Sequence, residues 1–296
     1  MNHASTTGTN AECGRALVGL LASVTVLLSS APVTAQVAGY DAFKVEVFTQ
    51  AGPVPPVSPD GYFFAARIFA GSVFDRASAG VQLPNATSYA LNPAPADASV
   101  YQFASGLYAN QVALSAAFPA GTYTYTLEHP DLPNTPQTGV LDLPAADLYA
   151  GSVPFFSNYS AMQGLNSAQA FNFSWNPFVP NGAAGSVSET FLRLSATGGG
   201  ASWDFNVSGE NYVLAGATLV AATTYTATLY FSTRSYLAGA GFDDGNGPGA
   251  TSLLGFDRAT SVSFTTAVPE PSAWALLLMG LVFCGLAAQR RRAAAA

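Results

Sequence analysis

The chain has 296 residues and a formal net charge of −7, and only 9% of its residues are Asp, Glu, Lys or Arg. The scarcity of basic side chains argues against binding to nucleic acid, because that binding depends on Lys and Arg that neutralise phosphates. The two cysteines, Cys13 and Cys284, lie in the terminal segments described below. The sequence between those segments therefore excludes disulfides, cysteine–zinc sites and a cysteine nucleophile.

The N-terminal segment has the pattern of a secretory signal peptide. Arg15 precedes an uncharged apolar stretch at 16–28, and small side chains at Val33 and Ala35 suit the cleavage positions. We therefore expect cleavage before Gln36 and export by the general secretion machinery. A core helix over 16–28 is the alternative, but a second apolar segment at the other end of this charge-poor chain favours export.

Residues 36–145 show the alternation of apolar and polar side chains that is typical of strands. The clearest runs are 43–49 and the aromatic-rich 62–69, which a proline-rich turn separates. Further strands are predicted at 99–104, 111–118, 122–128 and 139–143. No stretch keeps a helical period over three turns, so we predict an all-β unit.

A second all-β unit is predicted over residues 146–267. Phe171, Phe173 and Trp175 alternate with polar residues and indicate a half-buried strand within 168–175. Other strands are predicted at 190–196, 202–207, 217–220, 224–232 and 261–266. Short strands with Gly-rich breaks at this spacing are typical of a β-sandwich.

Two segments of this second unit resemble the fibronectin type III and immunoglobulin-like family. Phe-Ser-Trp-Asn-Pro at 173–177 resembles that family's early strand with a tryptophan. Residues 219–229 resemble its leucine, short turn and corner tyrosine. The resemblance implies that the ring of Tyr225 is buried and that its hydroxyl tethers the loop to the sheet.

The segment around Tyr225 has a counterpart in the first half of the chain. Aligning Tyr123 with Tyr225 also aligns Thr122 with Thr224, Thr124 with Thr226, Thr126 with Thr228 and Leu127 with Leu229. The correspondence predicts two related sandwiches in tandem, with a boundary near residue 145. Convergence is the alternative, because alternating threonines suit any exposed strand face, so one or two sandwich domains both remain open.

The C-terminal segment begins with a glutamate between two prolines. The residues in order are Val268, Pro269, Glu270 and Pro271. Because the two prolines cannot continue a helix, they hold Glu270 in an extended and accessible segment. Such a segment suits recognition by a protease.

An uncharged apolar run follows at 273–288, and a basic cluster ends it. As a helix the run is about 24 Å long, which is short for a transmembrane helix but sufficient with its flanking residues. The cluster consists of Arg290, Arg291 and Arg292. By the positive-inside rule the arginines stay in the cytoplasm, so the rest of the chain lies on the far side of the membrane.

This tail resembles the PEP-CTERM sorting signal of Gram-negative bacteria, in which the same three parts occur in the same order. The resemblance covers residues 268–296 only. It implies that the membrane enzyme exosortase recognises and cuts the tail, and that the protein passes from the inner membrane to the cell surface or an exopolysaccharide matrix. An ordinary anchor is the alternative, in which Glu270 has no role beyond solubility.

Candidates for catalysis between residues 36 and 267 are few. His129 is the only histidine there, it is predicted to lie in an exposed turn, and no Gly-x-Ser-x-Gly motif accompanies it. The acids considered for sugar hydrolysis are Glu189, Asp204 and Glu210. The tyrosines considered for stacking on sugar rings are Tyr108, Tyr149, Tyr159 and Tyr212. Nothing in the sequence brings these groups together, so no enzymatic activity is predicted.

One loop has the composition of a calcium site. Asp243, Asp244 and Asn246 offer the oxygen ligands that Ca²⁺ prefers. The loop lacks the alternating aspartates and the twelfth-position glutamate of an EF-hand, and Gly, Asp and Asn also dominate plain turns. A solvated turn is the favoured interpretation, and no cofactor is predicted.

These features predict an exported all-β protein with four parts. The parts are a signal peptide at 1–35, a first sandwich at 36–145, a second sandwich at 146–267 and a sorting signal at 268–296. We predict a non-enzymatic protein of the cell surface or extracellular matrix, with a structural or adhesive role. The alternatives are a carbohydrate-binding or polysaccharide-acting secreted protein and a permanently anchored envelope protein.

Overall fold

The computed structural model describes residues 37–71, 77–95, 97–129, 136–237, 241–242, 250–267 and 279–283. Strands dominate the described chain, which confirms the predicted predominance of β structure. The strands are β1 (Val37–Thr49), β2 (Gly61–Ala70), β3 (Ser78–Gln82), β4 (Ser88–Ala94), β5 (Asp97–Ala104), β6 (Gly121–Glu128), β7 (Gln137–Leu143), β8 (Phe171–Ser174), β9 (Val187–Ala196), β10 (Ser202–Val207), β11 (Asn211–Leu214), β12 (Thr224–Leu237) and β13 (Thr251–Thr265). The two short helices are α1 (Gln111–Ala117) and α2 (Tyr159–Met162).

Eleven of the described strands form one hydrogen-bonded sheet in the order β10-β9-β12-β13-β1-β2-β5-β4-β3-β6-β7, and β8 pairs with β11 in a second sheet. β1 and β13 are parallel neighbours, with Gly39 opposite Thr251 and Thr49 opposite Ser261. The first and last described strands of the body therefore pair in the middle of the sheet. The fold is complete only when both ends of the body are present.

The long sheet curves back so that β6 and β7 pack across β1. The Tyr125 hydroxyl in β6 donates to the carbonyl of Asp41 in β1 at 2.7 Å. The Tyr40 hydroxyl in β1 donates to the carbonyl of Val140 in β7 at 2.7 Å. A first hydrophobic core fills the space between these layers.

A second hydrophobic core lies between β8 on one side and β9, β12 and β13 on the other. The rings of Phe173 in β8 and Phe264 in β13 have centroids 6.1 Å apart. β13 contributes to both cores, since Phe256 belongs to the first and Val262 to the second. The two halves share one sheet, and the division into two tandem domains near residue 145 stays a prediction.

A group of paired charges, which we call the polar seam, lies where the two cores meet. Lys44 Nζ is 2.9 Å from Asp147 Oδ1, and the two side chains are 2% and 5% exposed. Arg258 Nε is 2.7 Å from Glu46 Oε2, and Arg258 follows Phe256 of the first core along β13. Because buried charges are tolerated only when they are paired, the seam fixes how the two halves meet.

Both aligned tyrosines are buried and hold the loop that precedes them. Tyr225 is 1% exposed, and its hydroxyl accepts a hydrogen bond from the amide of Val220 at 2.9 Å. The Tyr123 hydroxyl donates to the carbonyl of Pro119 at 2.9 Å. The tether predicted for Tyr225 is confirmed, and Tyr123 makes a similar one in the first half with a carbonyl as its partner.

Two predicted strands are wrong. Residues 111–118 form α1 and its C-terminal cap, because the side chain of Asn110 accepts a hydrogen bond from the Ala113 amide at 2.9 Å and caps the helix. Residues 217–220 lie in a turn, and the φ of 62° at Ala217 is incompatible with a strand. The other predicted strands are present, with β8 shorter and β12 and β13 longer than predicted.

Candidate functional site

The predicted sorting segment starts where the body of the protein ends. β13 ends at Thr265, and Thr266 and Ala267 are the last described residues before the segment. Three groups of predicted site residues lie outside the described residues: Val268, Pro269, Glu270, Pro271, Arg290, Arg291 and Arg292 of the sorting signal, Val33, Ala35 and Gln36 of the cleavage site, and Asp243, Asp244 and Asn246 of the calcium candidate.

Thr266 anchors the end of β13 to the loop that Tyr225 tethers. Its side chain is 2% exposed, and its hydroxyl donates to the carbonyl of Val220 at 2.7 Å. The same hydroxyl accepts a hydrogen bond from the amide of Thr223 at 3.0 Å, and the Thr266 amide donates to the carbonyl of Thr223 at 3.0 Å. One hydroxyl thus satisfies a donor and an acceptor of a tight turn.

Ala267 is held through both of its backbone polar groups. Its amide donates to the carbonyl of Leu165 at 2.9 Å, and its carbonyl accepts from the amide of Ala222 at 3.3 Å. We call Thr266, Ala267 and these partners the junction clamp. The clamp fixes the chain up to the residue directly before Val268.

Replacing Thr266 with valine is expected to lower the free energy of unfolding by about 1–3 kcal/mol. Valine keeps the shape of threonine but leaves the partly buried Thr223 amide without its side-chain partner. Denaturant unfolding measures the loss. Thr265→Val is the control, because the Thr265 hydroxyl pairs with Thr224 on the surface, and it should lose less than about 0.5 kcal/mol. Equal losses would contradict the anchoring role of Thr266.

The predicted apolar run is described over residues 279–283 only. This stretch has helical backbone, and the side chains of Met279 and Phe283 are 54% and 68% exposed. Across the described part of the chain, no helix has the length and apolar character needed to cross a membrane. The remainder of the run predicted over 273–288 lies outside the described residues.

His129 is buried, with 8% exposure, so the prediction of an exposed turn is wrong. Every second residue of a strand faces the same side, and Tyr123, Tyr125 and Leu127 of β6 all face inward. His129 follows β6 and continues this inward row.

The acids considered for sugar hydrolysis do not form one cluster. Asp204 pairs with Arg193 at 2.6 Å on the surface. Glu189 and Glu210 line one open cavity of about 510 Å³, which Asp204 does not line. Glu189 is already paired with Arg234 at 3.1 Å. The described residues contain no group of three His, Cys, Asp or Glu side chains placed to hold a metal ion.

The tyrosines considered for sugar stacking have structural contacts. Tyr149 is 8% exposed, and burial raises the pKa of its hydroxyl. Tyr108 packs on Phe118, Tyr149 packs on Phe256, Tyr159 donates to the Ala51 carbonyl and Tyr212 packs on Phe205. These contacts within the protein account for the positions of the four tyrosine side chains.

The comparison with protein families decides the nature of the tail. Residues 267–292 match the family model described as the PEP-CTERM protein-sorting motif. The tail is a PEP-CTERM motif. The match starts at Ala267 in the junction clamp and ends at Arg292, so it contains the Pro-Glu-Pro box, the apolar run and the arginines. The PEP-CTERM motif implies exosortase as the processing partner, and it leaves the role of the body open.

Solved structures similar to the chain include fibronectin type III proteins. The crystal structure of the chicken CNTN1 FN1–FN3 domains is 10% identical, with a TM-score of 0.24 and coverage of 69% of this chain and 62% of that chain. A two-domain fibronectin type III segment of chicken tenascin is 16% identical, with a TM-score of 0.20 and coverage of 59% and 86%. The BSP domain of a biofilm associated protein is 13% identical, with a TM-score of 0.20 and coverage of 79% and 29%.

The chain thus spans less than two thirds of the first of these structures, the chicken CNTN1 domains. TM-scores of 0.24 and 0.20 carry no argument about function. No curated protein matches the chain in sequence. The PEP-CTERM motif is therefore the comparison on which a functional proposal rests.

Proposed function

We propose that the protein is exported and that exosortase processes it at the PEP-CTERM motif. The body then acts at the cell surface or in an extracellular matrix, in a structural or adhesive role without catalysis. The observation that carries the proposal is the position of the motif, which starts at Ala267, the last residue of the junction clamp. Among the described residues, the first core ends at Phe256 and the second at Phe264, both before the motif begins.

A cut at any bond beyond Ala267, including those at 269–271, is compatible with a stable product. Such a cut leaves both cores, all of β13 and every hydrogen bond of Thr266 in the released part. The apolar side chains described at 279–283 are exposed. An exposed apolar helix suits lipid, so the tail has the features of a detachable membrane segment.

The charges of the body favour a structural or adhesive role with neutral partners. All five described basic residues of the body are in ion pairs, namely Lys44, Arg67, Arg193, Arg234 and Arg258. The body between 36 and 267 carries fifteen acids, which is the chain's seventeen less Glu12 and Glu270. Its surface charge is therefore mainly acidic, which supports solubility outside the cell and disfavours direct ionic binding to acidic polymers.

The Glu270→Ala variant tests the proposal in a host that has exosortase. We expect the wild-type protein on the surface or in the medium to begin near Gln36 and to end at 269–271, as measured by intact mass. Glu270→Ala should keep a folded body but accumulate in the membrane fraction with its arginine cluster attached, because the Pro-Glu-Pro box is altered.

Glu210→Ala is the control, because Glu210 is an exposed acid far from the motif in sequence, and its processing should match that of the wild type. Normal processing of Glu270→Ala would show that exosortase does not need Glu270. A wild-type protein that keeps Arg290, Arg291 and Arg292 in the membrane would favour the permanent anchor instead.

A further inference from the structure

Because β1 and β13 are parallel, the body has two distinct ends along these strands. Gly39 near the start of β1 lies opposite Thr251 at the start of β13, and β13 then continues to Thr265. At about 3.3 Å per residue, the two ends of β13 are about 45 Å apart. We call the end at Thr265 the tail pole and the opposite end the leader pole.

Four connecting segments are fixed by hydrogen bonds at the tail pole. In each bond a backbone amide donates to a backbone carbonyl at 2.9–3.0 Å. The donor and acceptor pairs are Gln50 and Ser261, Gly164 and Thr265, Thr197 and Thr224, and Thr266 and Thr223. The segments that these residues belong to are 50–59, 159–169, 197–201 and 215–223. They surround the point at which the chain leaves the body.

Within these four ranges there is no charged residue and no histidine, and the exposed Asp60 directly follows the first range, before β2 begins. The four segments expose apolar tips instead, with Val54 65% exposed, Val57 99% exposed and Val220 66% exposed. The leader pole carries Asp97 and Glu128 among its described residues, and Tyr236 and Leu237 at the end of β12 are also exposed there. The tail pole is thus apolar at its loop tips, with Asp60 beside them.

The tail is too short to hold the body far from a membrane. Only residues 268–272 separate Ala267 from the apolar run that begins at Ala273. Even when fully extended, this link spans at most about 20 Å, which is less than the length of β13. When the run is in the bilayer, the tail pole is therefore the part of the body next to the lipid.

We infer that the tail pole is a membrane-contact surface that rests on the lipid bilayer until the tail is cut. Val54, Val57 and Val220 enter the interfacial region, since shallow apolar insertion stabilises contact with a bilayer. With Asp60 as the acid beside these loop tips, this pole brings little negative charge towards anionic headgroups. The inference rests on the proposed function, because it requires the tail to be in the membrane.

The test uses the exported form, from Gln36 to Ala296, reconstituted in phosphatidylcholine vesicles with a single dye-labelled cysteine. Cys284→Ser removes its native thiol, and Val57→Cys or Val140→Cys provides the labelling site. Val140 is the matched control, because it is 48% exposed and its carbonyl binds Tyr40 towards the leader pole. We expect headgroup-labelled quencher lipids to quench the dye at residue 57 several times more strongly than the dye at residue 140.

Two outcomes separate failure of this inference from failure of the proposed function. If the chain resists alkaline extraction but the two dyes are quenched equally, the tail is inserted and the lipid contact is overturned. If the dye at residue 57 is quenched only when exosortase is added, the lipid contact is also overturned, and the tail pole contacts the enzyme instead. If alkaline extraction releases the chain from the vesicles, the membrane insertion that the proposed function requires is itself wrong.

Discussion

Replacing Lys44 with alanine is expected to lower the free energy of unfolding by about 3–5 kcal/mol, because it leaves a buried carboxylate without its cation. The ion pair with Asp147 lies in the polar seam, where both side chains are almost fully buried. The Asp147 carboxylate keeps a hydrogen bond from Gln111 at 2.7 Å, but one neutral donor does not replace a charge. Denaturant unfolding followed by circular dichroism measures the loss.

A surface ion pair of the same type provides the control for Lys44. Arg193 and Asp204 are 50% and 35% exposed, so Arg193→Ala should lose less than about 1 kcal/mol. The double variant Lys44→Met with Asp147→Leu should recover most of the loss, because no charge then stays buried. Equal losses for Lys44→Ala and Arg193→Ala would mean that water reaches the polar seam.

Most strands follow from the sequence because alternation of apolar and polar residues is a local signal. β10 has the predicted bounds, since its pattern is framed by glycines on one side and by Ser208-Gly209 on the other. β3, β4 and β11 are not predicted, because they are short and mostly exposed. α1 resembles a strand in the sequence because its seven residues make only about two helical turns, and its cap, Asn110, lies outside them.

The tail can be identified from the sequence, but the junction clamp that precedes it cannot. The PEP-CTERM motif depends on the linear order of its residues, so the sequence alone identifies it. The junction clamp depends on segments that only the fold brings to Thr266. The pairing of β1 with β13 is equally hidden, since Glu46 and Arg258 are 212 residues apart and no local pattern links them.

The Gly255→Ala variant is expected to lower the free energy of unfolding by about 3 kcal/mol, the upper end for an overpacked core. A Cβ atom at Gly255 would overlap the ring of Phe43, which is directly opposite in β1. The guanidinium carbons of Arg67 and Arg234 lie 5.0 Å and 5.4 Å from the centroid of that ring. Asp41 accepts three hydrogen bonds from Arg67, at 2.6–3.1 Å, so the ring has little freedom to yield.

Two further variants show whether the loss at Gly255 comes from this contact. Gly52→Ala places a Cβ atom in open space and should change the stability by less than about 0.5 kcal/mol. Adding Phe43→Ala to Gly255→Ala removes the overlap, so the double variant should lose less than the sum of the single variants. Additive losses would mean that Phe43 and Gly255 are not neighbours. The parallel register of β1 and β13 would then be wrong, and with it the separation of the tail pole from the leader pole.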